Sequence, residues 1–288
     1  MLQSRLDQRL HCPACDETIA HEHLFIKNGC DILRCTACGL GRADTTGFDP
    51  GTYYTREYFS GQHPDGYADY LGSERVLRRE FAREVEFIRR YCPSGRLVEI
   101  GCAYGFFLQE AQARFDVAGI ELAEDAAAEC RRKGLNVLTG IACEQNLDRL
   151  GPPDVFVLLD VIEHLADPFD TLGRCARRLK PGGLIVLTTG DFGSRLARLA
   201  GARWRLMTPP QHLWFFTADA FRRWAQRLGM RLEACDHPLK IVPLSLIMFQ
   251  FGRMIGRPTT AVRGSHIGVP IKLFDAMRIV FSRVPHHD

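Results

Sequence analysis

The chain has 288 residues, 46% of them apolar and 25% charged, with a formal net charge of +3. That composition excludes a chain disordered throughout, and so small a charge does not call for a polyanionic partner. No apolar run reaches the roughly 18–20 residues that span a bilayer, and the polar stretch 1–10 predicts no secretory signal and a cytoplasmic location.

Eleven cysteines without an export signal argue against a disulfide scaffold. Five of them fall in the first 38 residues, and four of these form two CxxC knuckles, Cys12-Pro13-Ala14-Cys15 and Cys35-Thr36-Ala37-Cys38. Cysteines three apart can turn both thiolates toward one ion, and two such turns complete a tetrahedron. Between them, 23–27 and 31–34 read as strands around the turn signal Asn28-Gly29. The expectation for 1–47 is a zinc ribbon with Cys12, Cys15, Cys35 and Cys38 as ligands. About 45 residues bury little core, so the metal would supply folding energy. A redox CxxC is the competing reading, but it usually has a single motif at a strand-to-helix junction. Cys30 is left as the odd thiol; His11, His21 and His23 could substitute as ligands, but are read first as surface histidines.

Residues 48–91 form a connector. Tyr53, Tyr54, Tyr58, Phe59, Tyr67 and Tyr70 crowd a stretch that also holds Gly51, Gly61, Pro64 and Gly66. They suit either packing or a lid over a ligand. From Ser73, a plausible N-cap, the pattern turns helical, with Leu77, Phe81, Val85 and Ile88 on one face.

Residues 92–288 alternate strand and helix. Strands are expected at 96–101, 115–121, 135–138, 154–159 and 184–188, and helices at 106–114, 124–133 and 168–180. This alternation gives an α/β fold with a parallel sheet covered on both faces. Its first strand-turn-helix is the natural ligand site. The run Glu99-x-Gly101-x-Ala103-x-Gly105 lacks the third glycine of a dinucleotide fingerprint, and no Lys-Ser/Thr follows for a P-loop.

Glu99-Ile100-Gly101-Cys102-Ala103-Tyr104-Gly105 resembles motif I of class I S-adenosylmethionine (SAM) methyltransferases. Gly119-Ile120-Glu121 resembles the acidic end of their second strand. Residues 158–168, with Asp160, Glu163 and His164, resemble their fourth-strand motif, and Leu179-Lys180-Pro181-Gly182-Gly183 their turn before strand five. The resemblance implies a Rossmann-like seven-stranded methyltransferase sheet, with 230–235 and 277–283 as the last two strands. It also implies a SAM site made of Glu99, Gly101, Cys102, Ala103, Tyr104, Gly105, Glu121, Leu122, Asp160 and Val161. Glu121 would take the ribose hydroxyls and Asp160 would sit near the sulfonium. Ile141 and Ala142 would flank the adenine. Ala103 departs from the glycine more usual in that family.

Methyl transfer to oxygen or carbon needs alignment and a proton acceptor. His164 with Glu163, and His212 in the segment after strand five, are the expected catalytic groups. The ribbon and the run Pro209-Pro210-Gln211-His212-Leu213-Trp214-Phe215-Phe216 resemble small-molecule methyltransferases. Relatives include the ubiquinone-type O-methyltransferases and the zinc-bearing sugar C-methyltransferases. The expected acceptor is a sugar, a glycan precursor or a quinone-like ring. A zinc-ribbon RNA methyltransferase and a non-catalytic SAM- or zinc-binding module remain alternatives. The ribbon lacks the Lys/Arg block that RNA would favour. The apolar stretch 241–256 reads as a helix buried on the core, or as an interfacial helix touching lipid.

Overall fold

The structure, a computed structural model, describes residues 8–45, 69–254 and 266–284. Of the aromatic residues in the connector, Tyr53, Tyr54, Tyr58, Phe59 and Tyr67 lie outside the described residues. Tyr70 is described and buried.

The N-terminal part is an antiparallel meander of β1 (Gln8–Cys12), β2 (Glu17–Lys27), β3 (Cys30–Cys35) and β4 (Gly41–Ala43). The β2–β3 turn puts Asn28 at φ 50° and Gly29 at φ 80°. A two-residue hairpin with both φ values positive favours this Asn-Gly pair. Each cysteine knuckle closes as a one-turn loop. Asp16 N–H donates to Cys12 O at 2.8 Å, and Gly39 N–H to Cys35 O at 2.9 Å. One expectation is corrected here: His21 is not a surface residue but is 2% exposed.

The helix expected from Ser73 is α1 (Glu74–Ile88), which buries Val76, Leu77, Val85, Phe87 and Ile88. Ser73 holds the N-cap position but does not cap. Its hydroxyl donates to Asp69 O at 2.7 Å, while the Asp69 carboxylate accepts from Gly72 N–H at 2.7 Å. The Asp69 carboxylate thus closes the turn that leads into the helix, and the Ser73 hydroxyl is turned back to that turn and away from the helix amides.

The elements then alternate: β5 (Gly95–Ile100), α2 (Phe106–Ala111), β6 (Phe115–Glu121), α3 (Glu124–Arg132), β7 (Asn136–Thr139), α4 (Glu144–Leu150), β8 (Val155–Leu159), α5 (Pro168–Arg178) and β9 (Leu184–Gly190). After them come α6 (Arg195–Ala200), β10 (Trp214–Phe215), α7 (Ala218–Arg227), β11 (Met230–Asp236), β12 (Lys240–Pro243), α8 (Leu244–Met254), β13 (Gly268–Ile271) and β14 (Ala276–Arg283). The helix α5 shows why these boundaries are local. Asp167 caps it by accepting from Asp170 N–H at 2.9 Å, Pro168 opens it, and Arg177 and Arg178 close it. The helix α4 is absent from the sequence expectations. It is seven residues long and buries only Leu147 and Leu150, too few for a periodic signal.

The main sheet has the order β11-β14-β9-β8-β5-β6-β7. The strands β8, β5, β6 and β7 are parallel, and β14 is antiparallel to β9 and β11. This is the α/β, seven-stranded sheet expected. Leu97, Val98, Val155, Val157 and Leu158 are fully buried. Each such side chain contributes about 1.5–3 kcal/mol. Because β5 is flanked by β6 and β8, the chain reverses direction across the sheet at its carboxyl end, the position where open α/β sheets bind ligands.

Two compact units make up the described residues. One contains the ribbon, 158–238 and 273–284; the other contains 69–157, 239–254 and 266–272. In the second unit β12 pairs with β13, and Ile241 N–H donates to the buried Glu80 carboxylate at 2.6 Å. The helix α8 buries Ser245 and Phe249, as a core helix would, yet leaves Met248 53% exposed. Among the described residues no helix is long and apolar enough to cross a membrane.

Candidate functional site

The turn after β5 is shaped by three left-handed residues: Gly101 at φ 73°, Ala103 at φ 46° and Gly105 at φ 75°. Gly101 N–H donates to Ile120 O at 2.8 Å, tying the turn to β6. A Cβ on Gly105 would stand 2.5 Å from Leu135 Cδ1 and 2.9 Å from Cys130 Sγ, so only glycine fits both the space and the dihedral. Ala103 occupies a conformation that normally selects glycine, a local strain in the middle of the turn.

Two buried carboxyl groups flank this turn. Glu121 ends β6, with Oε2 accepting from Ala103 N–H at 2.7 Å and Oε1 from Ala123 N–H at 2.8 Å. The ribose role expected of it is thus shared with backbone amides, although each carboxylate oxygen keeps a second lone pair. Burial raises its pKa, and the Ala123 and Ala103 amides oppose that shift. Glu99, at the end of β5, is 3% exposed, and its Oε2 has no hydrogen-bond partner among the described residues. Burial, with Cys130 and Glu121 nearby, pushes its pKa well above the ordinary carboxyl value. A buried orphan oxygen of this kind suits a ligand that brings its own cationic or hydroxyl donor.

The side chains of the other expected residues of the turn are buried or packed. The Cys102 thiol is buried against Gly119, where an added Cβ would lie 2.9 Å from its sulfur. The Tyr104 ring is 7% exposed and packs 6.0 Å from Tyr70, and its carbonyl accepts from Lys133 Nζ at 3.2 Å. Leu122 is half-buried, Ala142 is buried, and Ile141 is 62% exposed.

In the other unit, Asp160 follows β8 at φ 54°. Its N–H donates to Thr188 Oγ1 at 3.0 Å, and the Thr188 hydroxyl donates back to Asp160 Oδ1 at 2.8 Å. Val161 beside it is half-buried. Thr188 has no motif around it, so the sequence alone gave no signal for this pairing.

A 3-10 turn at Ile162–His164 presents Glu163 and His164. The His164 and His212 rings meet edge to face with centroids 4.7 Å apart. One ligating atom from each of Glu163, His164 and His212 lies within 4.8 Å of the others. His164 Nδ1 donates to Gln211 O at 2.9 Å, and His212 Nδ1 to Leu206 O at 2.8 Å. A carbonyl only accepts, so both Nδ1 atoms carry the proton and both Nε2 atoms keep a lone pair. Burial pushes His164 down to about 4. His212 goes down to about 3, first through burial and then through its neighbour His164. Both rings are therefore neutral acceptors at neutral pH. The three residues expected to be catalytic converge, although 48 positions separate His164 from His212.

The four expected ligand cysteines also converge. Their sulfurs all lie within 4.8 Å of one another, with Cys12–Cys38 at 3.6 Å and Cys15–Cys35 at 3.9 Å. A tetrahedral four-sulfur zinc site has S···S edges of about 3.8 Å. The Cys38 hydrogen bond pulls Cys12 down to about 5, while burial pushes Cys15 up to about 12. His11, His21 and His23 bond instead to Asp16, Ile19 O and Asp31. All eleven cysteines are free thiols.

A family model described as a methyltransferase domain matches residues 73–234, more than half of the chain. The ubiquinone biosynthesis O-methyltransferase of Methylococcus capsulatus is 29% identical over 61% of this chain and 81% of its own length. The protein of that name from Caulobacter sp. is 35% identical over 44% of this chain and 56% of its own, so the chain spans little more than half of that relative. A SAM-dependent methyltransferase from Archaeoglobus fulgidus superposes with a TM-score of 0.51 and 18% identity, covering 73% of this chain and 94% of that one. The chain belongs to the methyltransferase-domain family, on the class I SAM-dependent fold.

Proposed function

We propose that the chain transfers a methyl group from SAM to an oxygen or carbon atom of a small-molecule acceptor, with a hydroxylated quinone-like ring as the first class to test. One observation carries the cofactor reading: Glu99 and Glu121 lie buried at the carboxyl ends of β5 and β6, beside a turn with three left-handed residues. In this reading Gly101, Ala103 and Gly105 admit the methionine end, the Glu99 carboxyl meets a donor and Glu121 takes the ribose with Leu122 beside it; Asp160 and Val161 are the residues that the resemblance of 158–168 to the fourth-strand motif assigns to the cofactor. SAM would supply an electrophilic methyl carbon on sulfur, and the sulfur keeps the bonding electron pair when the methyl leaves. The names of the relatives support a small ring as acceptor. His164 or His212 accepts the proton that the acceptor hydroxyl loses, with its Nδ1–H fixed on a backbone carbonyl and its Nε2 as the base. Glu163 orients the pair. The residues Cys12, Cys15, Cys35 and Cys38 hold zinc in a structural site within 1–47, and 48–91 connects it to the methyltransferase domain. A four-cysteine metal site needs its thiols kept reduced, which favours a reducing compartment such as the cytoplasm.

The test is methyl transfer from isotopically labelled SAM to three acceptor sets: hydroxylated quinone precursors, sugar nucleotides and RNA. Labelling of a phenolic oxygen, lost at least about 100-fold in both His164→Ala and His212→Ala, supports the proposal. Labelling of RNA alone would overturn it.

A further inference from the structure

The ribbon makes many of its bonds to the segment that carries His212. The strand β4 pairs with β10, with Arg42 opposite Trp214 and Gly41 opposite Phe215. Ala43 N–H donates to Leu213 O at 2.9 Å. At the far tip of the ribbon the Asn28 amide donates to Pro209 O at 2.7 Å, across 181 positions of sequence. The knuckles themselves join in. Thr217, the N-cap of α7, donates its hydroxyl to Cys38 O at 2.7 Å. Arg223 donates to Ala37 O at 3.3 Å, and Arg227 to Pro13 O. Between these anchors the segment bends so that Leu213 N–H donates to Glu163 O at 2.9 Å and His212 Nδ1 reaches Leu206 O. Before the bend, Trp204 Nε1 and the Arg205 guanidinium are fixed on the buried Asp275 carboxylate at 2.9–3.0 Å.

The segment is thus held from two sides: by the ribbon, and outside it by Asp275, by Glu163 O and Leu165 O, which accept from Leu213 N–H and Trp214 Nε1, and by Phe192 N–H, which donates to Phe216 O. No regular element of its own spans 204–213 beyond the two-residue strand that follows. A loop of this kind keeps a fixed shape only through outside partners. The carbonyls of Pro13, Ala37 and Cys38 sit inside the two CxxC turns, whose shape follows from four sulfurs converging on one point.

We propose that the ribbon is a clamp on residues 204–217, with Asn28 and Thr217 as positioning residues that place His212 against Glu163 and His164, so that metal loading of the four cysteines controls the order of the histidine site. The link to catalysis rests on the proton-acceptor role given to His212; the clamp itself does not. Asn28 is well suited to testing it. At φ 50° glycine is tolerated, so Asn28→Gly keeps the turn and removes only the amide donor.

The experiment is hydrogen–deuterium exchange on the full chain in three forms: zinc-loaded wild type with the metal quantified, chelator-stripped wild type, and zinc-loaded Asn28→Gly. Titration with SAM is run on each. Exchange across 204–217 should rise at least about 10-fold in the stripped protein and about 5-fold in Asn28→Gly. Exchange across 95–121 and the affinity for SAM should stay within about twofold. Thr217→Ser, which keeps the hydroxyl, should match wild type, whereas Thr217→Val should match Asn28→Gly. If stripping opens 8–45 and leaves 204–217 protected, or if Asn28→Gly exchanges as wild type does, the clamp is refuted. Purified protein whose four cysteines bind no zinc would also refute it. Failure of wild type to bind SAM would instead refute the cofactor reading, with the exchange result standing by itself.

Discussion

The glycine turn after β5 and the histidine pair are organised in opposite ways. Every shape-giving feature of the turn lies within a few dozen residues: three left-handed positions, a tie to β6, and Glu121 on the Ala103 amide. The segment that carries His212 is bonded instead to residues far away in sequence, Asp275, Asn28 and Cys38. A cofactor that is the same for many enzymes can be held by a local motif. A pocket for one acceptor has to be assembled from distant parts.

That contrast can be broken most forcefully at Asp275. It is 1% exposed and satisfies both Trp204 and Arg205. Asp275→Ala leaves a buried indole N–H and a guanidinium without their partner, and should destabilise the unit by about 3 kcal/mol. Urea unfolding followed by tryptophan fluorescence reads this directly, because all three tryptophans, Trp204, Trp214 and Trp224, lie in that unit. Affinity for SAM should be kept in conditions where the protein stays folded. Equal loss of both would mean that the two regions are not separable.

The complementary substitution is Gly105→Val. Its side chain would meet Leu135 and Cys130 in a left-handed conformation. SAM affinity should fall at least about 100-fold, equivalent to about 2.7 kcal/mol, while exchange across 204–217 stays unchanged. Wild-type affinity in this variant would remove the turn from the binding site.

Acid dependence separates the regions more gently. The folded values of His164 and His212 are about 4 and about 3, below the ordinary histidine value near 6.5. Between these limits the two histidines bind more protons in the unfolded chain than in the folded one, whereas Glu99 and Glu121, with raised folded values, act in the opposite sense. The stability that the histidines contribute should therefore fall as pH drops through about 6.5 toward 4, and its loss should be complete below their folded values. His212→Gln should flatten this slope between pH 7 and 5 in urea titrations. An unchanged slope would mean that the ring is not held neutral. Smallest of all is Ala103→Gly, which relieves a left-handed alanine and should raise stability by up to about 1 kcal/mol, seen as a higher melting temperature.

The sequence made the sheet legible because its strands are buried runs bounded by turns, as β6 and β8 show, and because glycines and acids at fixed spacing mark the turn after β5. The cysteine set was legible for the same reason, since CxxC is a local geometry. Residues that act across the chain were not. Nothing around Thr188 announces Asp160, and Asn28 looked like a hairpin residue and no more. Ser73 at the start of α1 shows the same limit on a smaller scale: a serine can cap a helix, but in the fold its hydroxyl donates to Asp69 O.

The most direct measurement is calorimetric titration of the zinc-quantified protein with SAM and with its demethylated product, for wild type beside Glu121→Ala. Micromolar binding of both ligands to wild type, weakened at least about 30-fold in Glu121→Ala, is the result predicted. Heat-silent wild type under zinc-loaded, folded conditions, or equal binding by the two proteins, would contradict the placement of the cofactor at the β5 turn.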